Sequence, residues 1–218
     1  MRLDIFSDPI CPWCLIGKAH LERALEARAS HPFEVEWHPF QLNPDMPAEG
    51  VDRRQYLEAK FGGRDRAVEI YARVEAAAKA AGVVIDFAAI PRVPNTLNAH
   101  RLIHWAGLEG KQNAAVAALF RAYWQQGFDI GDAGVLADLA ANCGLDRAVI
   151  ARLLASDADL EAIRARDTHA RTRGINAVPT FILADQYVLS GAQGPEVWLQ
   201  VIDELAAQTQ AAQSNAAG

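Results

Sequence analysis

Arg2-Leu3-Asp4-Ile5-Phe6-Ser7-Asp8-Pro9-Ile10-Cys11-Pro12-Trp13-Cys14-Leu15-Ile16-Gly17-Lys18 decides how the rest of the chain is read. Leu3 to Phe6 is a short apolar strand. Leu15, Ala19, Leu21 and Leu25 then recur at helical spacing. Cys11 and Cys14 fall where the strand ends and the helix begins. A helix N-terminus carries unpaired N–H groups and partial positive charge, so a thiolate is favoured there. A second cysteine one turn on can attack a mixed disulfide formed by the first. Pro12 falls in the first turn, where its missing N–H removes nothing the helix needs. Strand, Cys-x-x-Cys and helix in this order make a dithiol redox site.

Working outward, the helix extends to about residue 28 and His31-Pro32 ends it. Phe33 to Trp37 alternates apolar and charged residues, as a strand with one covered face does. Pro39 to Gly50 reads as a loop. From Val51 to Arg173 no strand is expected. Helical patterns recur over 53–61, 64–81, 96–108, 112–126, 133–142, 147–155 and 158–172, punctuated by Gly62-Gly63, Gly82, Gly110, Gly127 and Gly144. Asp132 and Asp146 are expected N-caps. Residues 180–183 and 187–189 are strand-like runs separated by a hairpin-length link. A last helix is expected over 195–207, with a frayed tail over 208–218.

The chain has 218 residues, of which 51% are hydrophobic, a net charge of −6 and three cysteines. That is enough to bury a core. The negative balance argues against nucleic acid or an anionic membrane as partner. Three cysteines, two of them in one motif, make no disulfide framework. No apolar leader precedes the first strand and no stretch approaches the roughly 20 apolar residues of a membrane span, so a cytoplasmic protein is expected.

The order β-α-β, helices, β-β-α resembles the thioredoxin fold with an all-helical insertion. More closely it resembles the DsbA family of thiol–disulfide oxidoreductases, in its FrnE-like branch. The resemblance is carried by Ser7 to Lys18, by Trp37-His38-Pro39-Phe40-Gln41-Leu42-Asn43-Pro44, by Asn95-Thr96-Leu97-Asn98-Ala99-His100-Arg101-Leu102, and by Gly174-Ile175-Asn176-Ala177-Val178-Pro179-Thr180-Phe181. It implies a thioredoxin-like domain made of 1–44 and 174–218, with a helical insertion over 45–173.

It also implies roles. Cys11 is the attacking and more exposed thiol, and Cys14 the buried resolving one. Pro12 and Trp13 flank the substrate. Pro179 takes the place of the cis proline that lies against the dithiol in that fold, and Val178 presents its backbone to an extended substrate segment. Trp13 stands where strongly oxidising members carry histidine, so a less oxidising site is expected. Asp4 and Asp8 are candidate proton acceptors for Cys14. The usual buried acid lies six residues before the first cysteine, where this chain has Ile5, and Asp8 is read as the turn into the helix.

Other chemistry-bearing residues read as structural. Zinc commonly takes four ligands, and no second Cys-x-x-Cys exists, so no metal site is expected. His100 and His104 lie four apart but lack the acidic residue of a zinc-protease motif, and are assigned to packing or a cleft wall. His38 is read as structural, Cys143 as an inert buried thiol, and Trp105, Phe120, Tyr123 and Trp124 as insertion core.

The expected activity is dithiol–disulfide exchange with no cofactor. Its partners are protein or small-molecule thiols and disulfides, glutathione among them. The rival is a glutathione-dependent isomerase or transferase of the 2-hydroxychromene-2-carboxylate isomerase or kappa-class type. Those proteins begin an insertion helix with an Asn-Ser/Thr pair resembling Asn95-Thr96, but carry serine where this chain has Cys11.

Overall fold

A computed structural model describes the backbone of residues 1–216 and side-chain surroundings to residue 208. Strand β1 (Arg2–Ser7) leads into helix α1 (Pro12–Ala27) and back into β2 (Glu34–Pro39), which pairs parallel with β1. Parallel pairing needs a crossover, and α1 supplies it. After a long excursion the chain returns as β5 (Thr180–Leu183) and β6 (Tyr187–Ser190), giving the sheet order β2-β1-β5-β6 with β5 antiparallel to both neighbours. Ala184 and Asp185, at φ 50° and 58°, make the left-handed turn of this hairpin. Helix α9 (Pro195–Ala216) runs past the expected end at residue 207. Of the expected frayed tail, Ala217, Gly218 and the side chains from 209 on lie outside the described residues.

Alternation along β1 puts Leu3 and Ile5 in the main core, with Leu21 and Ala24 of α1 and Trp198 and Ile202 of α9. Phe6 falls in a second cluster with Phe40, Ala170, Ile175 and Ile182. Trp198 meets Phe181 edge-on at 4.8 Å, fastening α9 across the sheet.

Between β2 and β5 lie helices α2 (Arg53–Phe61), α3 (Arg64–Ala80), α4 (Leu97–Leu108), α5 (Gln112–Gln126), α6 (Ala133–Asn142), α7 (Arg147–Leu154) and α8 (Leu160–Thr172). The architecture is therefore an α/β thioredoxin-like fold with a helical insertion. Asp132 and Asp146 cap α6 and α7 as expected, accepting from Val135 N and from Ala148 and Val149 N. One expectation is corrected. The stretch from Val51 to Arg173 does contain strand: β3 (Val51–Asp52) pairs antiparallel with β4 (Arg92–Val93). This two-residue ladder ties the base of α2 to the segment before α4. Gly127 shows a close approach there, since a Cβ on it would meet the Ala89 carbonyl oxygen at 2.0 Å.

Candidate active site

The turn before α1 is built by backbone and core groups. Cys11 N donates to Asp8 O at 2.9 Å, and Cys14 N and Leu15 N converge on Cys11 O at 3.1 and 3.3 Å. Cys11 is thus the N-cap of α1, in extended conformation, with Pro12 as the first helical residue. From the insertion, Trp124 reaches under this turn and donates Nε1–H to Pro9 O at 2.9 Å. Nothing in the sequence pattern distinguished that tryptophan from its core neighbours.

Both thiols are free. Cys11 is the more exposed thiol, as expected, but only slightly so: it is 4% exposed and Cys14 1%, and both are buried. The cover comes from the segment before β5, where Cys11 Sγ donates to Val178 O at 3.6 Å. The Val178–Pro179 peptide bond is cis. A Cβ on Gly17 would stand 3.1 Å from Pro179 Cγ, so the absent side chain gives this proline its seat against α1. Trp13 is 40% exposed and forms the open rim. Cys11, Cys14, Val178 and Pro179 are therefore brought together, with Pro12 and Trp13 on the same turn.

Burial is the main influence pushing the Cys14 thiol well up from its ordinary range. Hydrogen bonding and charge from Cys11 add to it, while Ser7 and the Asp8 backbone oppose it. Cys14 is thus held as a thiol.

The two acid candidates diverge. Asp4 lies on β1 with His38 Nε2 at 2.5 Å and Arg2 Nε at 2.8 Å. His38 sits within β2, stacked on Phe6 at 4.8 Å, away from the dithiol side of the strand. Asp4, Glu36 and His38 offer ligand atoms within 4.8 Å of one another. Arg2 takes Asp4, however, and Arg166 takes Glu36 at 3.5 Å and His38 Nδ1 at 3.1 Å. Those guanidinium groups occupy the charge a cation would need, so no metal is assigned there.

Asp8 is fully buried and organises the turn, as expected. Its Oδ2 accepts from Leu42 N at 2.7 Å and its Oδ1 from Ile10 N at 3.4 Å. His100 Nε2 lies 3.8 Å from Oδ1, too far for a hydrogen bond, and has no partner among the described residues. Desolvation pushes the Asp8 carboxyl up to about 7 against the Leu42, Ile10 and Thr96 hydrogen bonds. Desolvation, with the Arg166 charge second, pushes His100 down to about 3. His104 meets Arg166 at 3.3 Å and lines a cavity beside β2. Cys143 is partly buried at the end of α6, its thiol pushed up by burial. Asn95 donates to Met46 O and accepts from Leu97 N, tying the loop after β2 to the start of α4.

The Asp8–His100 pair has a testable consequence. Between about pH 4 and 6.5 the folded pair holds one proton on Asp8, while the unfolded chain holds one on His100. Equal proton counts cancel, so the pair contributes no slope. In Asp8→Asn only the depressed histidine remains, and stability falls as pH drops below about 6.5. In His100→Gln only the raised carboxyl remains, and stability falls as pH rises from about 4 through 7. Each slope is worth on the order of 3 kcal/mol over its window. Urea midpoints at several pH values read it. Two flat profiles would show that neither group titrates as placed.

A profile of the DSBA-like thioredoxin domain matches residues 2–203, and the chain belongs to that family. Its fold and the Cys11–Cys14 pair define a DsbA-like thiol–disulfide oxidoreductase. An uncharacterised Bacillus subtilis (strain 168) protein, YwbO, is 30% identical over 210 residues, covering 94% of this chain and 96% of that protein. The crystal structure of a probable DsbA oxidoreductase from Streptomyces coelicolor matches with a TM-score of 0.83 and 32% identity, over 94% of this chain and 89% of that one. The fold is shared by the cytosolic disulfide reductase DsbM of Pseudomonas aeruginosa, at a TM-score of 0.69 and 22% identity over 95% of this chain and 100% of that one. DsbM has also been solved with GSH.

Proposed function

We propose that this chain is a dithiol–disulfide oxidoreductase that works through Cys11-Pro12-Trp13-Cys14, in the FrnE-like branch of its family. The observation that carries the reading is the Cys11 sulfur at the start of α1, facing the Val178 carbonyl at 3.6 Å with Cys14 buried behind it. In the reducing direction the Cys11 thiolate attacks a substrate disulfide. One S–S bond breaks, a mixed disulfide forms, and one substrate thiolate leaves. Cys11 no longer carries charge, so the Cys14 thiol loses the neighbour that helped keep it protonated. It gives up its proton and attacks the Cys11 sulfur, releasing the second thiolate. Two electrons pass from the dithiol to the substrate, the Cys14 proton and one from solvent protonate the two released thiolates, and the reverse sequence oxidises a dithiol.

Val178 and Pro179 hold the substrate backbone beside Cys11, and Trp13 shapes the open side. The substrates are protein or small-molecule thiols and disulfides, including glutathione, which the shared fold of the glutathione-bound DsbM supports. The setting is cytoplasmic, where such a dithiol rests reduced. No helix among the described residues is long and apolar enough to cross a membrane. The glutathione-dependent isomerase reading calls for a hydroxyl where Cys11 stands, and no feature of the site favours it.

Equilibration in glutathione buffers of graded potential tests the reading. Free thiols counted by alkylation should fall in one two-electron step, with the loss mapped to Cys11 and Cys14. A protein that keeps both thiols across the whole range would overturn it.

A further inference from the structure

Helices α2 and α3 form a hairpin through Gly62-Gly63, and between them lies a cavity of about 470 Å³, within the usual size for small-molecule sites. Leu57 of α2, Val68 and Tyr71 of α3, and Phe87 and Ile90 beneath them give it apolar and aromatic walls. Arg53, the first residue of α2, enters this space with its guanidinium 4.7 Å from the Tyr71 ring centre and 5.3 Å from that of Phe87. Its Nη1 donates to Phe87 O at 3.2 Å. Its Nη2 is buried and has no hydrogen-bond partner among the described residues. A buried charged donor left unpaired is costly, so this edge is set for an acceptor.

The acids nearby are already engaged. The Asp52 carboxylate caps α2 by accepting from Gln55 N at 2.9 Å, and Glu58 pairs with Arg54 at 3.0 Å. The lining carries Arg53, Arg54 and Arg64 beside these two carboxylates, a surplus of one positive charge that suits a monoanion. A monoanion with a ring-sized apolar body matches both the donor and the walls. A chain of ring contacts joins the cavity wall to the redox turn. Tyr71 meets Phe87 edge-on at 4.8 Å, Phe87 meets Trp124 at 6.2 Å, and Trp124 hydrogen-bonds Pro9 O in the redox turn. Burial, chiefly, raises the Tyr71 phenol, and the charge and hydrogen bonding of Arg53 beside it oppose the rise.

We propose that this cavity is a binding site for a small organic carboxylate with an apolar, ring-sized body, its carboxylate held by the free edge of Arg53. The site connects to the redox turn only through Phe87 and Trp124 and does not depend on thiol exchange, so it stands or falls separately from the function proposed above.

The experiment uses 2-naphthoate and its uncharged counterpart 2-naphthamide, titrated calorimetrically into the whole reduced protein. Naphthoate should bind saturably, and naphthamide about tenfold or more weakly. Arg53→Met should weaken naphthoate by about 10- to 100-fold and leave naphthamide little changed. Val68→Glu supplies a second variant. Val68 is 61% exposed, so the change spares the core while adding a carboxylate at the cavity wall, and it should weaken naphthoate selectively. Non-saturable naphthoate binding, equal binding of acid and amide, or wild-type affinity in either folded variant would overturn the proposal.

Discussion

Cys14→Ser should convert the protein into a trap. With Cys11 intact, attack on a substrate disulfide still forms the mixed disulfide, but no second sulfur is present to break it. Serine keeps the size and loses the nucleophile. Release then waits for an outside thiol, and adducts should accumulate on Cys11 alone. Cys11→Ser should instead remove exchange altogether, by at least about a thousandfold, because Cys14 at 1% exposure has no path to a substrate disulfide. Mass mapping after exposure to glutathione disulfide distinguishes the two. Adducts on Cys14 in the Cys11→Ser protein would reverse the roles assigned here. Partial cover of Cys11 by Val178 adds a further expectation: its alkylation rate should respond to changes in the 177–179 segment as well as to changes in its own helix.

Arg101→Met should be the most destabilising single change in the insertion. Arg101 is 1% exposed. Its guanidinium donates to Ala158 O at 2.8 Å, to Leu153 O and Ser156 O at 2.7 Å each, and to Asn98 Oδ1 at 2.8 Å. It thereby holds the chain where α7 ends and turns into α8. Beside it Trp105 lies 4.9 Å from the guanidinium and donates to Asp159 Oδ2 at 2.8 Å. Methionine keeps the apolar stem but leaves the carbonyls of Leu153, Ser156 and Ala158, in part-buried hydrogen bonds, without this donor. Each such group costs about 1–3 kcal/mol, so a loss of about 3–5 kcal/mol is expected. For a chain of this length that lowers Tm by on the order of 10 °C. Lysine keeps the charge without the planar fork and should fall between. A Tm shift below about 2 °C for the methionine variant would show that the guanidinium does not hold this turn.

Much of this architecture could be read from local signals. Gly62 and Gly127 stop α2 and α5 in left-handed conformation, at φ 75° and 67°, and Asp132 and Asp146 start α6 and α7. Those features act within a few residues, so sequence spacing exposes them. The dithiol was legible for the same reason, being one turn at one helix start. What stayed hidden depends on partners far along the chain. β3 and β4 are two residues each, too short to show alternation, and they pair across some forty residues. That even the more exposed thiol, Cys11, is buried shows only when Val178, 167 residues away, closes over it. Asp8 reads as a turn residue, which it is. Its burial and its neighbour His100 become visible only when α4 packs behind the redox turn. Arg101 sits inside a stretch that marks the family, yet three of its four acceptors lie far along the chain, at Leu153, Ser156 and Ala158.

The hydrogen bond from Trp124 to Pro9 bears on how such proteins can be rebuilt. One indole fills the centre of the helical insertion and also steadies the peptide leading to Cys11. The insertion is therefore not a detachable cassette. A chimaera that grafts another helical unit between β2 and β5 must bring its own donor to that carbonyl, or the reactive turn loses a prop that no described residue of the α/β layer supplies.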